Sequence, residues 1–149
     1  MAKKHPPFHN LEASVGRSAA NKNTDVMLVQ FFLSELAKHP DFTGPKPSTP
    51  QAVNGVCSSG DPNDPTQTWI RWFQNFVKSH GCPVIADGRV DPLANVPVNW
   101  PVASPGMIYT IMHLNGSFRK RYKSRHDALD KEPAAPPPLR DALKTTDFA

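Results

Sequence analysis

Apolar and polar positions from Thr66 to Val77, TQTWIRWFQNFV, recur with the period of an α-helix. At about 100° per residue, Trp69, Ile70, Trp72, Phe73, Phe76 and Val77 share one broad face, with Arg71, Gln74 and Asn75 on the other. Asp64 offers a short acceptor side chain just upstream, and Pro65 lacks the N–H that a first helical turn leaves unused, so the pair marks a start. A short helix with that much aromatic surface on one side must be covered by other elements.

The same period predicts a helix from Asp25 to Ala37, carried by Val26, Val29, Phe32, Leu33 and Leu36, with Asn23 or Thr24 as cap and His39-Pro40 as its end. A third helix is expected over Gly106–Asn115, with Met107, Ile108, Ile111, Met112 and Leu114 on its apolar face and Gly116 closing it. Leu139–Lys144 can add one last turn. Residues 40–65 and 92–106 hold no period and read as long loops broken by prolines. The 17 prolines in 149 residues, about twice the usual share, and the 38% hydrophobic content point to a small, mainly α-helical core wrapped by extended proline-rich segments.

Residues 1–13 read as an arm anchored by Phe8 and Leu11, and residues 117–149 as a basic, proline-rich arm. Its run Arg119, Lys120, Arg121, Lys123 and Arg125 is by default a solvated tail, with contact to nucleic acid or an anionic wall polymer as the sharper alternative. The net charge of +4 does not identify a nucleic-acid binder. The N-terminal stretch has no apolar h-region and no stretch reaches 18 apolar residues, so neither a Sec signal peptide nor a membrane span is expected. The expectation is synthesis in the cytoplasm, followed by residence there or export by a non-Sec route.

Catalytic sets are not evident. There is no Ser-x-x-Lys and no Gly-x-Ser-x-Gly elbow, and Glu12, Glu35 and Glu132 are scattered. Cys57, His80 and Cys82 are zinc-ligand types without a fourth partner, and the two cysteines could bridge only if the protein is exported. A non-enzyme with no cofactor and no metal is expected.

A weak repeat organises the middle of the chain. Val53-Asn54-Gly55-Val56, a loop, then Thr66-x-x-Trp69-Ile70-x-x-Phe73-Gln74 forms one unit. Ala86-Asp87-Gly88-Arg89-Val90-Asp91-Pro92, a loop, then Thr110-x-x-x-Leu114-Asn115 forms the next. With Val26, Val29, Gln30 and Leu33 on the first helix, and the lead-in Ser14-Val15-Gly16, this order of motifs resembles the peptidoglycan-binding-domain-like superfamily over residues 14–116. The chain departs from that pattern in Asn54-Gly55 for Asp-Gly, in Trp69 where a small residue is usual, and in two longer loops. The resemblance implies a compact three-helix fold that often serves as an accessory module targeting a hydrolase to the cell wall.

Two functions follow as expectations. The first is a stand-alone, non-catalytic module that binds peptidoglycan or a related glycan-peptide in a groove between the second helix and the two turns. Trp72, Asp87, Arg89 and Tyr109 are its candidate ligand contacts. Each also has a plainer role. Trp72 can pack at the edge of the aromatic face, Asp87 can bond its own turn, Arg89 can be solvated, and Tyr109 can plug a loop. Gln30 and Gln74 read as amides that satisfy tight turns rather than sugars, and Trp69 and Phe73 as core. The second function is an adaptor or structural component of a bacterial secretion or contractile machine, docking a partner or a second copy through residues 117–149.

Overall fold

The hub of the molecule is the first helix, α1 (Asn23–Ala37), rather than the aromatic helix around which the sequence pattern centres. In this computed structural model, which describes residues 6–96, 100 and 109–144, Val26, Met27, Leu28, Val29, Phe31, Phe32, Leu33 and Leu36 are all buried. A helix apolar on every side is one that is covered on every side. The covers are α2 (Pro65–Ser79), α3 (Thr110–Arg121), α5 (Pro137–Lys144) and a two-residue strand, β1 (Val15–Gly16). β1 pairs antiparallel with β2 (Arg89–Val90), with Val15 opposite Val90 and Gly16 opposite Arg89. Between α3 and α5 lie the short helix α4 (Lys123–Asp127) and a 3-10 turn, Leu129–Lys131. The mainly helical class therefore holds. Among the described residues no helix is long and apolar enough to cross a membrane.

The start of α2 matches its sequence signals: the Asp64 carboxylate accepts from the N–H groups of Thr66 and Gln67, and Pro65 opens the helix. The start of α1 does not. No side chain caps it. Asp25 is buried under the N-terminal segment and accepts from the backbone N–H groups of Glu12 and Ala13, both at 3.0 Å.

α3 runs through Gly116, the expected stop, to Arg121. The reason is Phe118, fully buried with its ring 5.1 Å from Phe32 and 5.9 Å from Phe31. Continuing the helix places Phe118 one turn beyond Leu114 on the same face. Arg119, Lys120 and Arg121 then occupy the last turn, where cations suit the helix dipole. Gly106, Met107 and Ile108 of the expected helix lie outside the described residues.

Residues 117–144 do not behave as an arm. Phe118, His126, Leu129, Leu139 and Leu143 are core residues. The arginines of the basic run are paired inside the fold rather than solvated. Arg119 makes a two-pronged pair with Asp127 at 2.8 and 3.0 Å, and Arg121 reaches Asp41 at 3.0 Å. Arg125 bridges Glu35 at 2.6 Å and Glu132 at 2.8 Å, with its guanidinium 4.9 Å above the Tyr122 ring. Burial alone pushes the Glu35 and Glu132 carboxyls up, but the Arg125 fork outweighs it and holds both below their ordinary values.

The N-terminal segment is a strap. Phe8 and Leu11 are buried as anchors, and Phe8 meets Trp100 edge-on at 5.1 Å. Trp100 donates through Nε1 to the Pro6 carbonyl at 2.6 Å. Asn115 brackets His9, accepting from its N–H at 2.9 Å and donating to its carbonyl at 3.0 Å. Asn10 brackets Leu93 in the same way.

Gly16 sits at φ +108°, and a Cβ added there would run into the carbonyl oxygen of Gly88, the turn residue just before β2. Gly16→Ala combines backbone strain with a clash that no side chain can relieve, so an expected loss of about 2–4 kcal/mol follows. Urea unfolding measures it; a loss under about 0.5 kcal/mol, the size of a neutral surface change, would contradict the close strand approach.

Candidate functional site

Two glutamines build the framework. Gln30 of α1 is almost fully buried. Its Oε1 accepts from the N–H groups of Asn54 and Gly55 at 2.9 and 2.8 Å. Its Nε2 donates to Asn54 Oδ1, the Val56 carbonyl and Thr66 Oγ1 at 3.0, 3.1 and 2.9 Å. Gln74 of α2 repeats the arrangement one unit later. Its Oε1 accepts from Gly88 N–H at 2.9 Å. Its Nε2 faces Asp87 Oδ1, the Arg89 carbonyl and Thr110 Oγ1 at 3.2, 2.9 and 3.0 Å. Each glutamine thus ties a glycine turn (Gly55 at φ +76°, Gly88 at φ +73°) to the threonine that begins the next helix. Such turns require the left-handed backbone that glycine adopts without strain. Gln74 belongs to the buried side of α2, not to the polar face on which its spacing places it, because this network satisfies both ends of its amide.

Three of the four expected ligand contacts meet beside the second turn, two on the turn itself and Tyr109 just before α3. Asp87, Arg89 and Tyr109 line one small depression of about 90 Å³ with Ile85, Asp91 and Thr110. Asp87 Oδ1 accepts from Arg89 N–H at 3.0 Å, the local turn bond expected of it. The Arg89 side chain keeps some exposure, but its guanidinium is engaged within the fold. It donates to Asp91 Oδ1 at 2.7 Å, to the carbonyls of Ser18 and Arg17 at 2.8 and 3.3 Å, and to Ser14 Oγ at 3.2 Å. Burial raises the Asp91 carboxyl, but Ser14 and Arg89 outweigh it and hold the group below its ordinary value. Tyr109 and Ile85 are exposed at the rim. Trp72 is not part of this lining. It is half-buried against Trp69, Phe42 and Phe76, with ring centroids 5.1, 5.7 and 6.1 Å away. Trp69 and Phe73 are core, and Trp69 Nε1 donates to the Thr49 carbonyl at 2.7 Å.

A larger groove, about 440 Å³, opens between the end of α2 and the outer side of α3. Phe42, Phe76, Val77 and Met112 give it an apolar floor, and His80, His113, Lys120 and Arg121 stand around it. The His80 ring stacks on Phe76 at 4.2 Å and donates through Nδ1 to the Phe76 carbonyl at 2.8 Å. His113 donates to the Pro83 carbonyl at 3.0 Å. The Arg121 guanidinium lies 4.8 Å above the Phe42 ring. The sequence reading passes over this groove. Phe76 and Met112 look like core there, and Lys120 like one charge in a tail.

The cysteines are both free thiols. Cys57 donates to Asp64 Oδ2 at 3.3 Å, and burial together with that carboxylate pushes its thiol up to about 12. It is a hydrogen-bond donor to the α2 cap, not a nucleophile. Among the described residues no three His, Cys, Asp or Glu side chains converge as a metal set. No protein-family model, curated protein or solved structure matches the chain.

Proposed function

We propose that this protein is a non-catalytic binding module for peptidoglycan or a related cell-wall glycan-peptide. The observation that carries the reading is the duplicated clamp. Gln30 with Asn54-Gly55 and Thr66, then Gln74 with Asp87-Gly88 and Thr110, are the residues on which the resemblance to peptidoglycan-binding-like domains rests. They act as one repeated device that fixes three helices.

The α2–α3 groove is the binding surface on this reading. Its volume lies in the range of ligand sites, about 300–1,000 Å³, and the depression beside Arg89 is much smaller. Phe76 and the stacked His80 offer a flat face to the apolar side of a sugar or a peptide stem. Arg89, by contrast, has its donors committed to the loop that leads into α1. The adaptor reading is weaker, because the described part of residues 117–149 spends its apolar side chains on the core.

The test is co-sedimentation of the full chain with insoluble peptidoglycan sacculi at low and moderate salt. Retention that persists at moderate salt is expected. A protein that stays in the supernatant, or that modest salt releases completely, would sink the wall-binding reading and leave the adaptor.

A further inference from the structure

The groove between α2 and α3 has one sign of charge. Among the residues that line it there is no carboxylate, while Lys120 and Arg121 contribute two fixed cations. The two cations are not equivalent. Arg121 is spent, held by Asp41 at 3.0 Å and by the Ser117 carbonyl at 3.0 Å. Lys120 is exposed and makes no ion pair with the described residues. It lies one helical turn from Gly116, which lies one turn from Met112, so the three form a row along the groove.

Gly116 is the second, separate observation. It sits inside α3, where glycine is less favourable than alanine by about 1 kcal/mol. Its backbone is not in the left-handed region, and a Cβ added to it would meet nothing within 4 Å. Neither backbone conformation nor packing calls for glycine here. Its one structural effect is open space in the groove between the apolar Met112 and the cationic Lys120.

From these observations, and resting on the wall-binding reading, we infer that the groove seats the acidic end of a peptidoglycan stem peptide. The peptide's carboxylate pairs with the Lys120 ammonium, its backbone passes over Gly116, and its alkyl portion lies against Met112 and the Phe76–His80 stack. The arrangement suits an anion joined to an apolar stem, because Lys120 stands as an exposed cation on one wall and the part-exposed Phe76–His80 stack offers an apolar face on the other.

The experiment uses the full ¹⁵N-labelled chain. It is titrated with muropeptides released from sacculi by a muramidase, and with the same muropeptides after their carboxylates are amidated. Amide shifts at Met112, His113, Gly116, Ser117 and Lys120 are expected. Amidation and Lys120→Glu should each weaken binding by about tenfold or more. Gly116→Leu should abolish binding, while Gly116→Ala should remain folded with a higher thermal midpoint. If the wild-type chain sediments with sacculi but Lys120→Glu and Gly116→Leu do so equally well, the groove is overturned and wall binding stands. Sacculus binding that vanishes once phosphate polymers are stripped with hydrofluoric acid also overturns the stem-peptide occupant. If neither sacculi nor muropeptides bind the wild type, both readings fall together.

Discussion

Gln74→Ala is expected to destabilise the fold by about 3–4 kcal/mol, among the largest effects of any single truncation here. The side chain is fully buried and engages four groups. Removing it leaves the buried Gly88 N–H without its acceptor, and the cost of an unmet buried donor exceeds the net worth of the bond it made. Thr110 loses its contact at the start of α3, so the second turn and the third helix loosen together. Gln74→Met separates packing from hydrogen bonding, since it refills the space without supplying an acceptor. Chemical denaturation should show methionine recovering less than half of the loss. Full recovery by methionine, or a loss below about 1 kcal/mol for alanine, would mean that the turn is held by something else. Gln30→Ala should behave alike, through Gly55 and Thr66.

The second large effect is acid destabilisation that begins well above the carboxylate range. His126 is fully buried among Phe32, Trp100 and Phe118, with the His9 ring 4.6 Å away. Its Nδ1 faces Asp127 Oδ1 at 3.0 Å and its Nε2 faces Asn115 Oδ1 at 2.9 Å, so both nitrogens meet oxygens that favour a second proton. Burial and the neighbouring imidazole outweigh them and push His126 down to about 3. Burial lowers His9 as well, against the opposing pull of its bond to the His126 carbonyl and of Asp127 and Asp130. A base whose folded value is depressed stays neutral in the native state while the unfolded chain takes up a proton below its ordinary value. Stability is therefore complete above about pH 6.5 and falls as the pH drops from there toward 3. From His126 alone, the loss between pH 7 and pH 4.5 should be about 2–3 kcal/mol. The carboxylates held low by arginine, Glu35, Asp91, Asp127 and Glu132, add a further loss only below about pH 4.5. Urea unfolding at several pH values reads both legs, and His126→Gln should flatten the upper one. Stability that holds steady or rises from pH 7 to pH 5 would show that the native ring carries its charge.

Local pattern carried far for some elements and not for others. α2 was legible because its period is strong and Asp64-Pro65 marks its start. The two glutamines were legible because each stands 36 residues before the threonine it binds, with a glycine turn in between. The centrality of α1 was understated, although the runs Val26–Val29 and Phe31–Leu33 are apolar on consecutive positions, the sign of a helix covered all round. Gly116 read as a stop because glycine is the commonest residue just past a helix. The counter-signal was Phe118, seven residues after Ile111 and four after Leu114, on the same face. The partners of the arginines were out of local reach. Arg121 finds Asp41, and Arg125 finds Glu35, across 80 and 90 residues. For the same reason Arg89 looked free in the sequence, though Ser14 and Ser18 hold it in the fold. The groove was illegible because its lining comes from the end of α2, from α3, and from Phe42 and Cys82 outside both, and no short stretch contains them all.

The strap has a consequence for the order in which this chain can become a protein. His9 is bracketed by Asn115, 106 residues later, and bonded to His126, 117 residues later. During synthesis α1 emerges with its strap side and its α5 side both bare; Asp25, Leu93 and Trp100 hold parts of the strap, but the bracket around His9 closes only once Asn115 and His126 have been made. Helical proteins usually fold fast because their contacts are local. Here the contacts that close the strap join residues 106 and 117 positions apart, so this part of the fold is non-local despite its helices. For most of its synthesis, the most apolar helix in the molecule waits for its cover, and that interval is when the nascent chain is most exposed to aggregation.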